Sequence, residues 1–127
     1  CEEEILLVVP DAVLERTYPG QLARLKGQLA KNADLTLVKD CPFLLINSGN
    51  RVRTLADDMF AEAQMDPRII LETENIETAL ALTLKGMGIT FYPRMFMSGQ
   101  DIWKEQKEGF LNTGFYRLNS PKARSIL

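Results

Sequence analysis

No histidine occurs among the 127 residues. Ser-His-Asp and Cys-His nucleophile systems need an imidazole, and so does nearly every zinc site, so those chemistries are excluded. Cysteine is almost as scarce. Cys1 and Cys41 have neither the number nor the spacing of a disulfide framework or a metal site. Cys41 precedes Pro42 and an apolar run, which predicts a buried or half-buried free thiol suited to a reducing compartment. No apolar run approaches the roughly 20 residues that a membrane-spanning helix needs. The first residues, Cys1 to Glu4, are acidic where a signal peptide carries a basic region. A cytoplasmic location is expected. Positive charge is not in excess either: 15 basic residues against 17 acidic ones leave a net charge of -2. Gripping a phosphate backbone draws on clustered Lys and Arg. Here Arg51 with Arg53 is the densest pair, read as part of a solvated helix face.

What is present fits one globular domain: 46% of the residues are hydrophobic and 25% charged, close to the averages for soluble domains. The chain enters an apolar run, Ile5 to Val9, almost at once and without Met. It stops at Ile126-Leu127, where another apolar run is starting. An excised piece of a longer protein is therefore expected.

Ile5-Leu6-Leu7-Val8-Val9 has the length and β-branched content of a strand buried in a parallel or mixed sheet, ended by Pro10. Residues 11–20 read as irregular, with Tyr18-Pro19-Gly20 as a turn. Leu22, Leu25 and Leu29 recur at helical spacing within Gln21–Lys31, with Asn32 closing that helix and Asp34 capping a short turn through Val38. Pro42–Ile46 is a second strand, Arg51–Gln64 a helix with Val52, Leu55, Met59 and Phe60 on one side, and Arg68–Thr73 a third strand. Ile76–Lys85 reads as a helix apolar around most of its axis and therefore well buried. Ile89–Tyr92 is a fourth strand and Phe115–Leu118 a short one; the stretch 94–114 around Trp103 is mixed. Strand, helix, strand, helix, strand from residue 42 onward predicts a parallel sheet with right-handed crossovers.

Open α/β sheets bind ligands beyond the carboxyl ends of their strands. Three places are singled out: the loop after Ile46, the loop after Thr73 and the turn before Ile89. Asn47-Ser48-Gly49-Asn50 joins a strand to a helix start, where backbone N–H groups and the helix dipole favour an anion. Ser48 and Asn50 add donors, and Gly49 admits close approach; a plain N-cap and tight turn is the alternative. At Thr73-Glu74-Asn75, Thr73 or Asn75 can cap the next helix, while Glu74 can face a ligand. Gly86-Met87-Gly88 closes a helix and lacks the dinucleotide-binding spacing. Asp57, Asp58 and Glu62 fall on an exposed helix face, so no paired-carboxylate catalysis is expected. Met95, Phe96 and Met97 are expected in the core.

Taken in order, several segments carry a resemblance. They are Asp40-Cys41-Pro42-Phe43-Leu44-Leu45-Ile46, the helix ending in Phe60-Ala61-Glu62-Ala63, Pro67-Arg68-Ile69-Ile70-Leu71-Glu72-Thr73-Glu74, Ala79-Leu80, and Gly86-Met87-Gly88-Ile89-Thr90-Phe91-Tyr92-Pro93. Together they resemble the second effector subdomain of LysR-type transcription regulators. Leu6, Val8, Val9 and Pro10 resemble the strand that crosses from the first subdomain, and residues 115–127 the return. The resemblance implies a three-layer α/β fold, a parallel or mixed sheet with helices on both faces, like that of type 2 periplasmic binding proteins. Residues 1–10 would be the crossing strand and hinge, 11–93 the second subdomain and 94–127 the return. Asn47, Ser48, Gly49, Asn50, Glu74 and Asn75 would face the effector, and Pro10 and Pro93 would mark the hinge. The family's dimer would bring Arg51–Gln64 and Ile69–Leu71 near a partner.

The expected function is effector sensing in a homo-oligomeric regulator, with no catalytic residue, cofactor or metal. DNA would be met only through a winged helix-turn-helix domain that this chain lacks, as it lacks the first half of the first subdomain. Tyr18–Lys31 is more helical than the family's usual connection. A solute-binding protein of a transport system is the alternative on the same fold, and an enzyme on this scaffold is disfavoured by the absent histidine and paired acids.

Overall fold

A computed structural model describes residues 2–97 and 112–126; Trp103 and most of the mixed stretch lie outside the described residues. The chain runs β1 (Glu2–Pro10), α1 (Asp11–Thr17), α2 (Leu22–Lys31), a 3₁₀ turn (Leu35–Val38), β2 (Pro42–Ile46), α3 (Arg51–Glu62), β3 (Arg68–Thr73), α4 (Ile76–Leu84) and β4 (Thr90–Pro93). A 3₁₀ turn (Arg94–Met97), β5 (Thr113–Arg117), a 3₁₀ turn (Pro121–Ala123) and β6 (Arg124–Ile126) follow.

β1 is the centre of the sheet. It pairs antiparallel with β4, Ile5 opposite Pro93 and Val8 opposite Thr90. On its other edge it pairs antiparallel with β5, Leu6 opposite Arg117 and Pro10 opposite Thr113, while β6 pairs with its first residues. β2 and β3 are parallel, and β2 joins β4 through a parallel bridge between Phe43 and Ile89. There the Leu44 N–H donates to Ile89 O and the Ile89 N–H to Pro42 O, each at 2.9 Å. The sheet is thus mixed: the expected parallel order holds for β2, β3 and β4, and β1 opposes them. The join at Ile89 depends on Gly88, where a Cβ would stand 2.6 Å from Pro42 O.

Alternation along β1 divides the core. Ile5, Leu7 and Val9 face a large cluster containing Val13 and Leu14 of α1, Leu25 and Leu29 of α2, and Val52, Leu55, Met59 and Phe60 of α3. Val8 faces the other way, with Leu80 and Leu84 of α4 and Tyr92 of β4. Helices therefore cover both faces, because every second residue of an apolar strand needs its own cover. Phe43, Phe60 and Phe91 form an aromatic triangle with centroids 5.1 to 6.0 Å apart, locking α3 onto β2 and β4. Cys41 is fully buried, and burial pushes its thiol up to about 11.

Several expectations are corrected. Residues 11–17 are helical, not irregular. The signals were local: Pro10 ahead of the first turn, Asp11 inside it and Arg16 in the last turn, all favourable to a helix with its dipole. Helix α4 is only half buried, with Ala79, Leu80, Thr83 and Leu84 inward and Ala81 exposed, because it lies at the sheet surface with nothing packed outside it among the described residues. Met95 and Phe96 are exposed, not core. Arg53 is no solvated residue: its side chain is 11% exposed. It donates to Asp57 at 2.9 Å and to Ile46 O at 3.0 Å, and it pairs with Glu72.

Candidate functional site

Because β2, β3 and β4 are parallel, Ile46, Thr73 and Pro93 end on one side of the sheet, and β1 starts there, since Ile5 lies opposite Pro93. The turn before Ile89 is therefore at the wrong end to join the other two loops. The segment that does join them is Pro93 to Phe96; the sequence pattern places Phe96 in the core and Pro93 at the hinge. Its signal was the Pro93 stop after β4, which marks that strand's carboxyl end.

The two expected loops are brought together. The Asn47 N–H donates to Thr73 O at 2.9 Å, so Asn47-Ser48-Gly49-Asn50 and Thr73-Glu74-Asn75 leave the sheet side by side. Gly49 has φ +95°, with no atom near where a Cβ would be; here glycine is required by backbone conformation. Asn50 caps α3, its Oδ1 accepting from the Val52 N–H at 2.8 Å. Asn75 caps α4, its Oδ1 accepting from Glu77 N–H at 2.9 Å and Thr78 N–H at 3.3 Å. The Thr73 hydroxyl in turn accepts from the Asn75 N–H. Capping thus occupies first-turn donors that an anion would otherwise use. It also fixes each amide so that its Nδ2 is the group with donors to offer.

Behind this polar rim lies an apolar cavity of about 430 Å³, walled by Ile46, Val52, Ile76, Pro93 and Phe96, with Asn50 and Arg51 at its edge. Phe96 is held edge-on to Tyr92, 5.9 Å between centroids. Tyr92 donates its hydroxyl to Glu77 at 2.6 Å; burial, reinforced by that carboxylate, raises the phenol's pKa. Asn47, Ser48, Gly49, Glu74 and Asn75 are exposed beside the cavity and do not line it. Pro93 lines it. Pro10 does not accompany Pro93: it lies opposite Thr113, five positions along β1 from Ile5 and so about 16 Å away. Arg53 binds the end of β2, the edge strand and its own helix below the corner, a positioning role that its i, i+4 spacing to Asp57 could have suggested.

At the start of β1, Glu4 receives Arg94 on Oε1 at 3.1 Å, and Arg117 and Arg124 on Oε2 at 2.7 and 3.3 Å. Burial alone would raise its carboxyl, but the hydrogen bonds from Arg117 and Arg94 dominate, helped by Arg124, and hold it below its ordinary value. Glu3 accepts from the Met95 N–H at 3.1 Å. β1 is thereby fastened to the segment that carries Phe96.

An apolar hollow with a polar rim at the carboxyl ends of parallel strands suits a small molecule. A sequence model of the LysR substrate binding domain matches residues 1–104. The chain belongs to this family. A curated relative, the uncharacterised HTH-type transcriptional regulator YcgK of Bacillus subtilis (strain 168), is 28% identical over 105 residues, covering 78% of this chain and 32% of the relative. The effector binding domain of QuiR in complex with shikimate superposes with a TM-score of 0.66 at 21% identity, over 98% of this chain and 49% of that one. The regulatory domain of Synechocystis PCC6803 CcmR in complex with 2-PG does so with 0.69 at 17% identity, over 98% and 50%. The BenM effector binding domain with benzoate gives 0.65 at 21%, over 98% and 49%. The chain therefore spans about a third of this curated relative and half of these effector domains, and it shares their α/β fold, like that of periplasmic binding proteins. Among the described residues no helix is long and apolar enough to cross a membrane.

Proposed function

We propose that this chain is the second subdomain, with its crossing strands, of the effector-sensing region of a cytoplasmic LysR-type regulator, and not an enzyme. The apolar cavity of about 430 Å³ at the strand ends carries the reading. It would form one wall of a cleft whose other wall is the first subdomain. The rim residues Asn47, Ser48, Gly49, Asn50, Glu74 and Asn75 face the effector's polar part, and Ile46, Val52, Ile76 and Phe96 its apolar part. Ser48 hydroxyl, Asn50 Nδ2 and the positive dipole end of α3, whose Val52 N–H is already taken by the Asn50 cap, favour a carboxylate or similar anion; the related effector domains hold shikimate and benzoate. Residues 1–10 serve as crossing strand, 11–93 as the subdomain and 94–127 as the return. The hinge lies at Pro93, where β1 begins, while Pro10 starts a helix at the far end.

An effector that prefers the closed cleft shifts the population of a homo-oligomer and so alters how winged helix-turn-helix domains, borne elsewhere in the regulator, meet DNA. Helix α3 and the exposed Ile69 and Ile70 of edge strand β3 lie toward the partner subunit. No cofactor or metal takes part. The test is calorimetry of the full-length regulator with a panel of small carboxylates, shikimate and benzoate among them. Ser48→Ala removes a hydrogen bond to a charged group, net about 1.5 kcal/mol or more, so affinity should fall about tenfold with the fold intact. Affinity unchanged by Ser48→Ala, or no binding by any carboxylate, refutes the anion-binding corner.

A further inference from the structure

A second cavity, of about 600 Å³, opens on the other side of β1, between the end of α2 and strands β5 and β6. Its lining includes Lys31, Asn32, Tyr116, Arg117, Asn119 and Arg124, and among the described residues no acidic side chain lines it. Three cations from three separate elements converge there. Lys31 in the last turn of α2 complements that helix's dipole, but this does not account for Arg117 or Arg124, which arrive from strands. Arg124 is held in place by Leu118 O at 3.1 Å and Ser120 O at 3.3 Å. Arg117 engages Glu4 through Nε, the stem-side nitrogen, and its side chain stays 65% exposed. That contact leaves the outer end of the guanidinium fork to meet another anion.

Of the acids beside the cavity, Glu4 is already shared among three arginines. Asp34 is committed to the Thr36 N–H and hydroxyl at 2.9 and 2.8 Å. Positive charge is therefore in local excess although the chain as a whole is net negative. The volume lies within the range of small-molecule pockets, and the Asn32 amide supplies further donors, while the Asn119 side chain hydrogen-bonds Asp34.

We propose that this cavity is a second binding site, separate from the cleft wall, for a small polyanion bearing two or more acidic groups, whether phosphoryl or carboxylate. Lys31, Arg117 and Arg124 each meet an acidic oxygen, and the apolar faces of Leu29 and Phe115 exclude water from one side. The site is linked to the cleft wall. Glu4 grips Arg117 and Arg124 with one oxygen and Arg94, two residues before Phe96, with the other, so a polyanion drawing on Arg117 and Arg124 competes with that grip.

The test is amide NMR of the 127-residue chain, titrated at constant ionic strength with pyrophosphate, citrate and acetate. Pyrophosphate or citrate should shift the amides of residues 29–32 and 115–119 saturably, and acetate should bind at least tenfold more weakly. The response to pyrophosphate against citrate tells phosphoryl from carboxylate ligands. Lys31→Gln, at an exposed helix position, should weaken binding fivefold or more while leaving the spectrum folded, and Arg117→Gln should do the same. Ser48→Ala should leave this affinity unchanged, which separates the outcome from that of the cleft. Equal affinity for acetate, indifference to Lys31→Gln, or shifts confined to residues 47–51 would each overturn the proposal.

Discussion

Glu4→Gln cuts the node that ties the start of β1 to its neighbours, and its cost can be worked from the geometry. The carboxylate is 10% exposed and receives three guanidiniums. Arg94 and Arg117 are 61% and 65% exposed, so each of those pairs is discounted to about 0.5 kcal/mol, within the range of surface ion pairs. Arg124 is 33% exposed and further fixed by two carbonyls, which puts its charge-assisted bond nearer 1.5 kcal/mol. The sum is about 2–3 kcal/mol. With a urea slope of about 2 kcal/mol/M, the unfolding midpoint should fall by about 1–1.5 M at neutral pH. The pH dependence has a definite sign. A carboxyl whose pKa is lowered on folding contributes stability above its unfolded value, and that contribution is lost as pH falls through its folded value. The difference between wild type and Glu4→Gln should thus be full at pH 7 and shrink steadily below pH 4.5. Urea titrations at pH 7, 5, 4 and 3 measure it. A difference under about 0.5 kcal/mol at pH 7, or one that does not change with pH, refutes the reasoning.

Two further outcomes follow from the same structure. Gly88→Ala would drive a Cβ toward Pro42 O, 2.6 Å away in the backbone that joins β2 to β4, and should cost about 1–3 kcal/mol; an unchanged melting temperature would mean that the join yields freely. In a Cys1→Ser background, Cys41 should resist a thiol reagent at pH 8, since it is fully buried and its pKa of about 11 leaves little thiolate. Its labelling should accelerate sharply in urea, and native labelling at the rate of a free thiol contradicts the burial.

Much was legible in order and period. Continuous apolar runs between prolines and turn residues marked β1, β2 and β4, and leucines at helical spacing marked α2, because burial on both faces or on one stripe leaves a one-dimensional trace. Asn50 and Asn75 could be read as caps from their place before helical runs. Helix α1 was missed because its short amphipathic face offers only Val13 and Leu14, and the stronger signals lay in Pro10 and Asp11. Residues whose setting is made by distant chain were not legible. Arg53 reads as surface until Ile46 and Glu72 are folded beside it, and Met95 and Phe96 read as core until β4 ends on the same side of the sheet as Ile46 and Thr73.

The amino-acid order by itself determined most of the strands and helices, though not α1, the family they belong to, and that the Ile46 to Asn50 corner opens a helix. Only the tertiary structure decided that β1 runs against β2, β3 and β4, that Phe96 closes a cavity beside that corner, and that Glu4 gathers arginines some 90 to 120 positions away. Periodicity and capping act over a few residues and leave local marks. Strand direction, cavity walls and charge clusters arise from contacts between segments far apart, and no local pattern records them.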